Sequence, residues 1–285
     1  MANLLRGRAT GRVSAGIPPY IQPMNPEVHD PAHGQLHGHR EFYASPAGLV
    51  AARLLRERLL GFWPRLEGRE VLGLGHAAPY LRLWREEAAR ILCASLPETD
   101  AVPWPPGGPG LCARVEDESL PFPDLSFDHV LLVHGLEHTE NARRMLREVW
   151  RVLKDDGSLL IVAPNRRGLW AHVENNPFGQ GRPYSPGQLS RLLRRNMFAI
   201  ERRDKALFLP PFRSRLMLRG ARAWEMAGRA LAPRFAGVVM VEARKELYGV
   251  MPKAAQKAPR RRVKVVEGAW AARGDDLPAA ARHRP

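Results

Sequence analysis

The stretch from Glu116 to Asn165 constrains this chain more than any other. It reads E-D-E-S-L-P-F-P-D-L-S-F-D-H-V-L-L-V-H-G-L-E-H, then an amphipathic R-R-M-L-R-E-V-W-R-V-L-K-D-D-G, then S-L-L-I-V-A-P-N. Two apolar runs of strand length, 127–134 and 158–165, flank a segment that places Met145, Leu146, Val149, Val152 and Leu153 on one helical face. Short connections join the three pieces. Strand, helix and strand in that order form a βαβ unit, and continuous apolar strands belong in a parallel sheet covered on both faces. The spacing predicts a helix from a Thr139 N-cap to Gly157 at the C′ position.

The flanking sequence extends this pattern. Leu49, Val50, Leu54, Leu55 and Leu59 recur at helical spacing over 46–60, with Pro46 suited to the first turn. An apolar run over 71–75 ends in a glycine turn, and Pro79 opens a brief helix reaching Glu87. Strands are expected over 90–94 and 111–115, and a closing pair over 204–209 and 238–246. Between the second and third strands lie Pro97, Pro103, Pro105, Pro106 and Pro109 with Gly107, Gly108 and Gly110. A proline in a helix interior costs about 3 kcal/mol, so an irregular loop replaces the usual crossover helix there. Residues 213–233 read as a helical insert with Leu216, Met217, Leu218, Trp224, Met226 and several arginines. Such an insert serves as a lid or packing helix, or rests on an anionic surface. One α/β domain is expected over 40–250, between a Pro/Gly-broken flexible arm (1–39) and a flexible basic tail (251–285).

Composition narrows the function classes. With 285 residues, 45% of them hydrophobic, the chain can bury one large core. No run approaches the roughly 18 apolar residues of a membrane span, and Arg6, Arg8 and Arg12 are not followed by the apolar stretch of a secretory signal. Cys93 and Cys112 lie inside apolar runs without disulfide or thiolate-metal spacing, so a reducing cytoplasmic setting is expected. Met1–Arg40 carries four arginines against Glu27 and Asp30, and Pro252–Pro285 carries nine lysines and arginines against three acids. The remainder keeps +7 of the chain's net charge of +15. That balance suits an anionic partner such as RNA, an acidic lipid surface or a phosphorylated small molecule. No basic stripe is interleaved with aromatic residues for stacking bases, which favours a solvated arginine-rich surface over nucleic-acid binding. His29, His33, His37 and His39 crowd one arm, but no cysteine or carboxylate accompanies them at fixed spacing, so no metal is expected. Neither a G-x-S-x-G elbow nor a P-loop is present.

Leu120-Pro121-Phe122, Ser126-Phe127-Asp128, Leu136-Glu137-His138, Arg151-Val152-Leu153 and Gly157 resemble, in order and spacing, the class I S-adenosylmethionine-dependent methyltransferases of the type 11 branch. The resemblance covers Phe42 to Gly249 and is strongest over 116–165. It implies a Rossmann-like α/β fold: a seven-stranded, mostly parallel sheet with helices on both faces and the last strand antiparallel. Ligands of such a sheet bind beyond the carboxyl ends of the strands where strand order reverses, between the first and fourth strands. By this resemblance Gly73, Gly75 and His76 form the first cofactor loop, Ser95 stands at the ribose, Glu116 or Asp117 meets the adenine amine, and His134 borders the methionine portion. Glu137, His138 and Tyr184 are candidates for orienting the acceptor or removing its proton. Glu137 and His138 serve equally well as structural residues. Asn165 joins the acceptor side, and Tyr43 covers the cofactor from above.

The chain also departs from that family. Gly73 replaces an acidic residue, Ala77 and Pro79 replace glycines, and Ser95 replaces the carboxylate that grips the ribose hydroxyls. Losing such a charge-assisted bond costs about 1.5–3 kcal/mol. The expected function is methyl transfer from S-adenosylmethionine to a small-molecule acceptor. A catalytically inactive methyltransferase-like binding or regulatory protein is the alternative, with Trp104 of the proline-rich loop filling the adenine side. An RNA-directed methyltransferase is a third reading, drawn from charge alone.

Overall fold

The computed structural model describes residues 38–97, 99, 104–105, 110–173, 176–211 and 218–247. Its elements follow in the order α1 (Gly38–Ala44), α2 (Pro46–Phe62), β1 (Glu70–Gly75), α3 (Ala78–Leu81), β2 (Arg90–Ser95), β3 (Cys112–Arg114) and β4 (Phe127–Val133). Then come α4 (Ala142–Val152), β5 (Leu153–Pro164), α5 (Pro186–Arg195), β6 (Phe198–Ala206), α6 (Ala221–Leu231) and β7 (Val238–Lys245). The strands form one seven-stranded sheet in the order β3-β2-β1-β4-β5-β7-β6. All pairings are parallel except those of β7, which runs antiparallel to β5 and to β6. This is the Rossmann-like arrangement expected from the sequence. Strand order reverses between β1 and β4, where Gly75 pairs with Val133 at the carboxyl ends.

Two apolar layers sandwich the sheet. Residues of α2 and α3 pack on one face with Val71, Leu131, Leu160 and Met240. Those of α4 and α5 pack on the other with Leu72, Val130, Leu132 and Val241. Alternate residues of each strand thus feed opposite cores, as the two-residue period of a strand requires. The helices α2, α4 and α5 are capped locally. Ser45 accepts the Gly48 N–H ahead of Pro46 in α2, and Ser185 and Gln188 make a reciprocal capping box on α5.

The central helix departs from its expected limits at both ends. Asn141, not Thr139, caps α4 by accepting the Arg144 N–H; the Thr139 hydroxyl instead donates to Asp117. The helix stops at Val152, because Leu153 turns extended and pairs with Phe127 across the sheet. Gly157 therefore lies inside β5. β6 begins at Phe198 rather than at 204, since its middle residues are exposed or half-buried and carry no apolar run to read. Residues 213–217 of the expected insert, and the arm and tail outside 38–247, fall outside the described residues.

The loop from β3 to β4 is pinned to α4. Arg151 donates to Glu148, to Asp124 and to the carbonyls of Leu120 and Phe122, while Glu148 accepts the Leu120 N–H. One guanidinium fork thereby holds the 120–124 segment against α4, while Arg144 donates to Glu118 and Thr139 to Asp117 in the acidic turn before it. Gly75 closes β1 with φ +71, and a Cβ there would lie 2.3 Å from the Val133 carbonyl oxygen. Gly75→Ala should destabilise the protein by about 1–3 kcal/mol or more from backbone strain alone, read as a lowered midpoint of urea unfolding with unchanged slope.

Candidate functional site

The crevice at the β1–β4 reversal is filled with side-chain rings. Past Gly75 the chain turns onto β4, where the His76 N–H donates to the Val133 carbonyl at 2.7 Å. α3 then packs so closely that a Cβ on Gly73 would sit 2.7 Å from a Leu81 methyl and 2.9 Å from the Ala77 Cβ. A side chain at position 73 would require Leu81 and Ala77 to move. From above, α1 contributes His39 and Tyr43, four residues apart and so on one helical face. Tyr43 stacks on His76 with ring centroids 4.7 Å apart and planes at 16°. The His39 ring lies 5.4, 5.0 and 5.6 Å from those of His76, His134 and His138.

A buried hydrogen-bond chain runs through these rings. The Tyr80 hydroxyl donates to the Tyr43 oxygen at 3.0 Å. Tyr43 lies 2.8 Å from His134 Nε2, and His134 Nδ1 lies 3.0 Å from Glu137 Oε1. With its proton on Nδ1, His134 donates to Glu137 and accepts from Tyr43, which satisfies every link. His134 holds this place with φ 50, a left-handed conformation at the end of β4.

Burial governs the charge states. Desolvation, reinforced by neighbouring histidines, lowers His39, and it brings His76 and His134 to about 3. It also pushes the Glu137 carboxyl up to about 7 and the Tyr43 hydroxyl well above its ordinary value. The imidazoles are neutral at physiological pH. His39 Nε2, both His76 nitrogens, His138 Nε2 and Glu137 Oε2 are buried without a partner. Among the described residues no three His, Cys, Asp or Glu are placed to hold a metal ion.

Two open clefts flank this plug. One, of about 540 Å³, lies beyond the ends of β2, β3 and β4 and is lined by Leu96, Pro97, Glu116, Asp117, His138 and Thr139. Its floor is ordered by Thr99, whose hydroxyl accepts the Leu96 N–H and donates to the Leu96 carbonyl. A second, of about 530 Å³, opens against other residues of α1 and is lined by Glu41, Phe42, Trp170, Asn176 and Gln180.

The residues singled out from sequence lie in different surroundings. Glu116, Asp117 and His138 line the first cleft. His76, His134 and Glu137 belong to the buried ring cluster. Gly73 and Ser95 face packing instead of open space, and the Ser95 hydroxyl lies 3.4 Å from the Cys112 sulfur. Tyr184 donates to the Leu136 carbonyl at 3.2 Å, and Asn165 ties down the carbonyls of Arg234 and Ala236; both hold loops in place. Trp104 is buried with Cys93 and Cys112 in the core and does not line the cleft. Sequence reasoning missed Thr99 and Thr139, and it assigned His39 to the arm. The four-residue step from His39 to Tyr43 is the signal that would have placed His39 in the site.

Residues 73–161 match the family model described as a methyltransferase domain. Among curated relatives, the uncharacterized methyltransferase YcgJ of Bacillus subtilis is 51% identical over 45 residues, covering 16% of this chain and 18% of that protein. A demethylmenaquinone methyltransferase of Listeria welshimeri is 44% identical over 62 residues, 21% of this chain and 26% of that protein. Its namesake in Thermus thermophilus is 30% identical over 129 residues, 44% and 51% of the two chains. The matched segment thus spans about half of these relatives' length at most. Solved structures similar to this one include an S-adenosylmethionine dependent methyltransferase from Mesorhizobium loti (TM-score 0.48, 16% identity, 66% of this chain and 96% of that chain). Another is YcgJ itself (TM-score 0.45, 18% identity, 67% and 97%).

The neutral histidines make the fold sensitive to acid. His76 and His134 titrate near 3 when folded against 6.5 as free side chains, so the unfolded chain takes up their protons first as pH falls. Their contribution is complete above pH 6.5 and declines by about 1.4 kcal/mol per pH unit for each histidine below it. Glu137 opposes this, because its folded value near 7 exceeds the free value of 4.5 and adds stability as pH falls through that window. Two histidines outweigh one carboxyl, and His39 acts in their direction. The melting temperature is expected to drop from pH 6.5 to 4.5. His76→Phe, which preserves stacking on Tyr43, should flatten that dependence in a series of thermal melts.

Proposed function

We propose that this chain, whose residues 73–161 match the methyltransferase-domain family model, transfers a methyl group from S-adenosylmethionine to a small molecule. One observation carries the reading. The crevice at the strand-order reversal is closed by side chains of the seven-residue α1, not by strand backbone, and it adjoins an open acidic cleft. The cleft fits an adenosyl group: Glu116 and Asp117 offer carboxylates to an amine, and the Leu96–Pro97 backbone stands where the ribose is expected. The amino-acid end fits only when His39 and Tyr43 withdraw with α1, which joins α2 through Ser45. S-adenosylmethionine, when bound, supplies an activated methyl on sulfur, so the protein's task is alignment and exclusion of water.

Chain residues suit that task. Gly75 brings backbone close without a side chain in the way. Glu137, with its carboxyl near 7, can take or return a proton at neutral pH through His134. Phe42 and Trp170 give the second cleft aromatic walls, with Glu41, Asn176 and Gln180 as polar groups, which suits a small planar acceptor with a polar edge. The name of the demethylmenaquinone methyltransferases among its relatives supports an acceptor of the small-molecule class.

A second reading is favoured by the packing around Gly73 and by the Ser95 hydroxyl turned to Cys112. In that reading the rings fill the site permanently, and the chain is a non-catalytic binding protein of methyltransferase descent.

Calorimetric titration with S-adenosylhomocysteine separates the two. Micromolar binding is expected for the full chain. Tyr43→Ala should bind about tenfold more tightly, because the cofactor no longer has to displace that ring. Absence of binding up to millimolar concentration in both proteins selects the non-catalytic reading.

A further inference from the structure

Helix α6 presents an outer face without a charge. Ala223, Trp224, Met226, Ala227, Ala230 and Leu231 all point outward, and the exposures of Trp224 (40%), Met226 (69%) and Leu231 (85%) continue into Phe235 (53%). A surface helix normally carries polar residues there. The orientation is fixed from beneath. Buried Glu225 accepts the N–H groups of Leu207 and Phe208 at 3.2 and 2.7 Å, and Gly228 packs against the Phe208 ring so closely that a Cβ would lie 2.5 Å from the Phe208 Cβ. Rolling the helix to hide the apolar face would strip the partners from a buried carboxylate. The cations at its flanks are paired, Arg222 with Glu57 at 2.9 Å and Arg229 with Asp204 at 3.0 Å.

Where α6 ends, a basic cleft begins. Arg167, Lys205 and Arg234 line a hollow of about 210 Å³ together with Asn165 and the Ser185–Pro186–Gly187 start of α5, and no carboxylate is among its lining residues. It is joined to the apolar ridge covalently and by hydrogen bonds. Lys205 Nζ donates to the Pro233 carbonyl at 2.9 Å, Asn165 donates to the Arg234 carbonyl at 3.1 Å, and Arg234 precedes Phe235. Three cations with no ion-pair partner among the described residues, beside four exposed large apolar side chains, match the two layers of an anionic bilayer, phosphate outside and acyl chains within.

We propose that α6 and the adjoining Arg167–Lys205–Arg234 cleft dock this protein on an anionic phospholipid surface. The cleft takes a lipid phosphate while Trp224, Met226, Leu231 and Phe235 enter the boundary of headgroups and acyl chains. Among the described residues no helix is long and apolar enough to cross a membrane, so the attachment is peripheral. The net charge of +15 supplies the long-range attraction that brings the face to the surface.

Co-sedimentation of the full chain with phosphatidylcholine vesicles, with and without about one third phosphatidylglycerol, tests this in 150 mM salt. The protein is expected to partition onto the anionic vesicles and not onto the neutral ones. Met226→Glu with Leu231→Glu changes only exposed positions and should weaken that binding by about a hundredfold. Arg167→Gln with Arg234→Gln should weaken it by about tenfold or more, at roughly fivefold per cation. Circular dichroism of each variant confirms that the fold is kept. Three results overturn the proposal: no binding by the parent chain; unchanged binding by both double variants, which would assign attachment to the basic tail they retain; or a parent dimer in sedimentation equilibrium that the Met226/Leu231 variant dissolves, which would make the face an interface between copies.

Discussion

The parallel pairing of β1 with β4 is the constraint from which the rest of the structure follows. It sets the sheet's direction of growth, with β2 and β3 added on one side and β5, β7 and β6 on the other. At that seam the loops leaving the two strands diverge toward opposite faces, and a crevice is unavoidable. Gly75 and Val133 end their strands at one level, so the Gly75 turn can drop His76 directly onto the Val133 carbonyl. A side chain at 75 would strike that carbonyl. The glycine is thus required by the seam itself, whatever ligand the crevice serves.

What fills the crevice is held by hydrogen bonding in a dry setting. Tyr80, Tyr43, His134 and Glu137 form one chain in which every donor finds an acceptor when the histidine carries its proton on Nδ1. Low polarity strengthens each link and makes any charge costly, which is why the histidines stay neutral and the carboxyl rises. The same chain couples α1 to β4: withdrawing α1 breaks the Tyr43 bonds and exposes Glu137. Two orphaned nitrogens on His76 and one on His39 remove part of the penalty for opening, since water or a ligand would then satisfy them.

The flanks of the molecule are organised by charges that face inward. Arg151 clamps the 120–124 segment to α4, and Glu225 clamps α6 to the loop after β6. In both places a charged residue bonds directly to two backbone groups, and Arg151 adds ion pairs with Glu148 and Asp124. Glu225 anchors α6 with its apolar side outward, so that a helix of this composition is held against the usual preference for burial.

Much of the fold was legible from residues 116–165, because strand and helix periods are local properties and Leu131, Val149 and Ile161 fall on the periods that bury them. The limits of α4 were not. Thr139 and Gly157 are good capping residues, but Asp117 takes the threonine hydroxyl and Phe127 draws Leu153 into β5, and neither partner is near in sequence. The acidic turn could be read as one side of a cleft, since Glu116, Asp117 and Glu118 follow a short strand. The resemblance brought Tyr43, His76, His134 and Glu137 to the same crevice, but it left His39 in the arm and did not show the rings packed against one another, because that packing joins three separate segments that meet only when β1 and β4 pair. Sequence by itself determined the βαβ unit and the absence of an acidic residue at 73 and 95, since these depend on residue type and local period, and the family resemblance carried by its motifs implied the seven-stranded sheet and the position of the seam. Tertiary structure alone decided that α1 plugs the seam, that Ser95 turns to Cys112 and that α6 faces outward. Those outcomes depend on which distant groups compete for the same buried hydrogen bonds and volume.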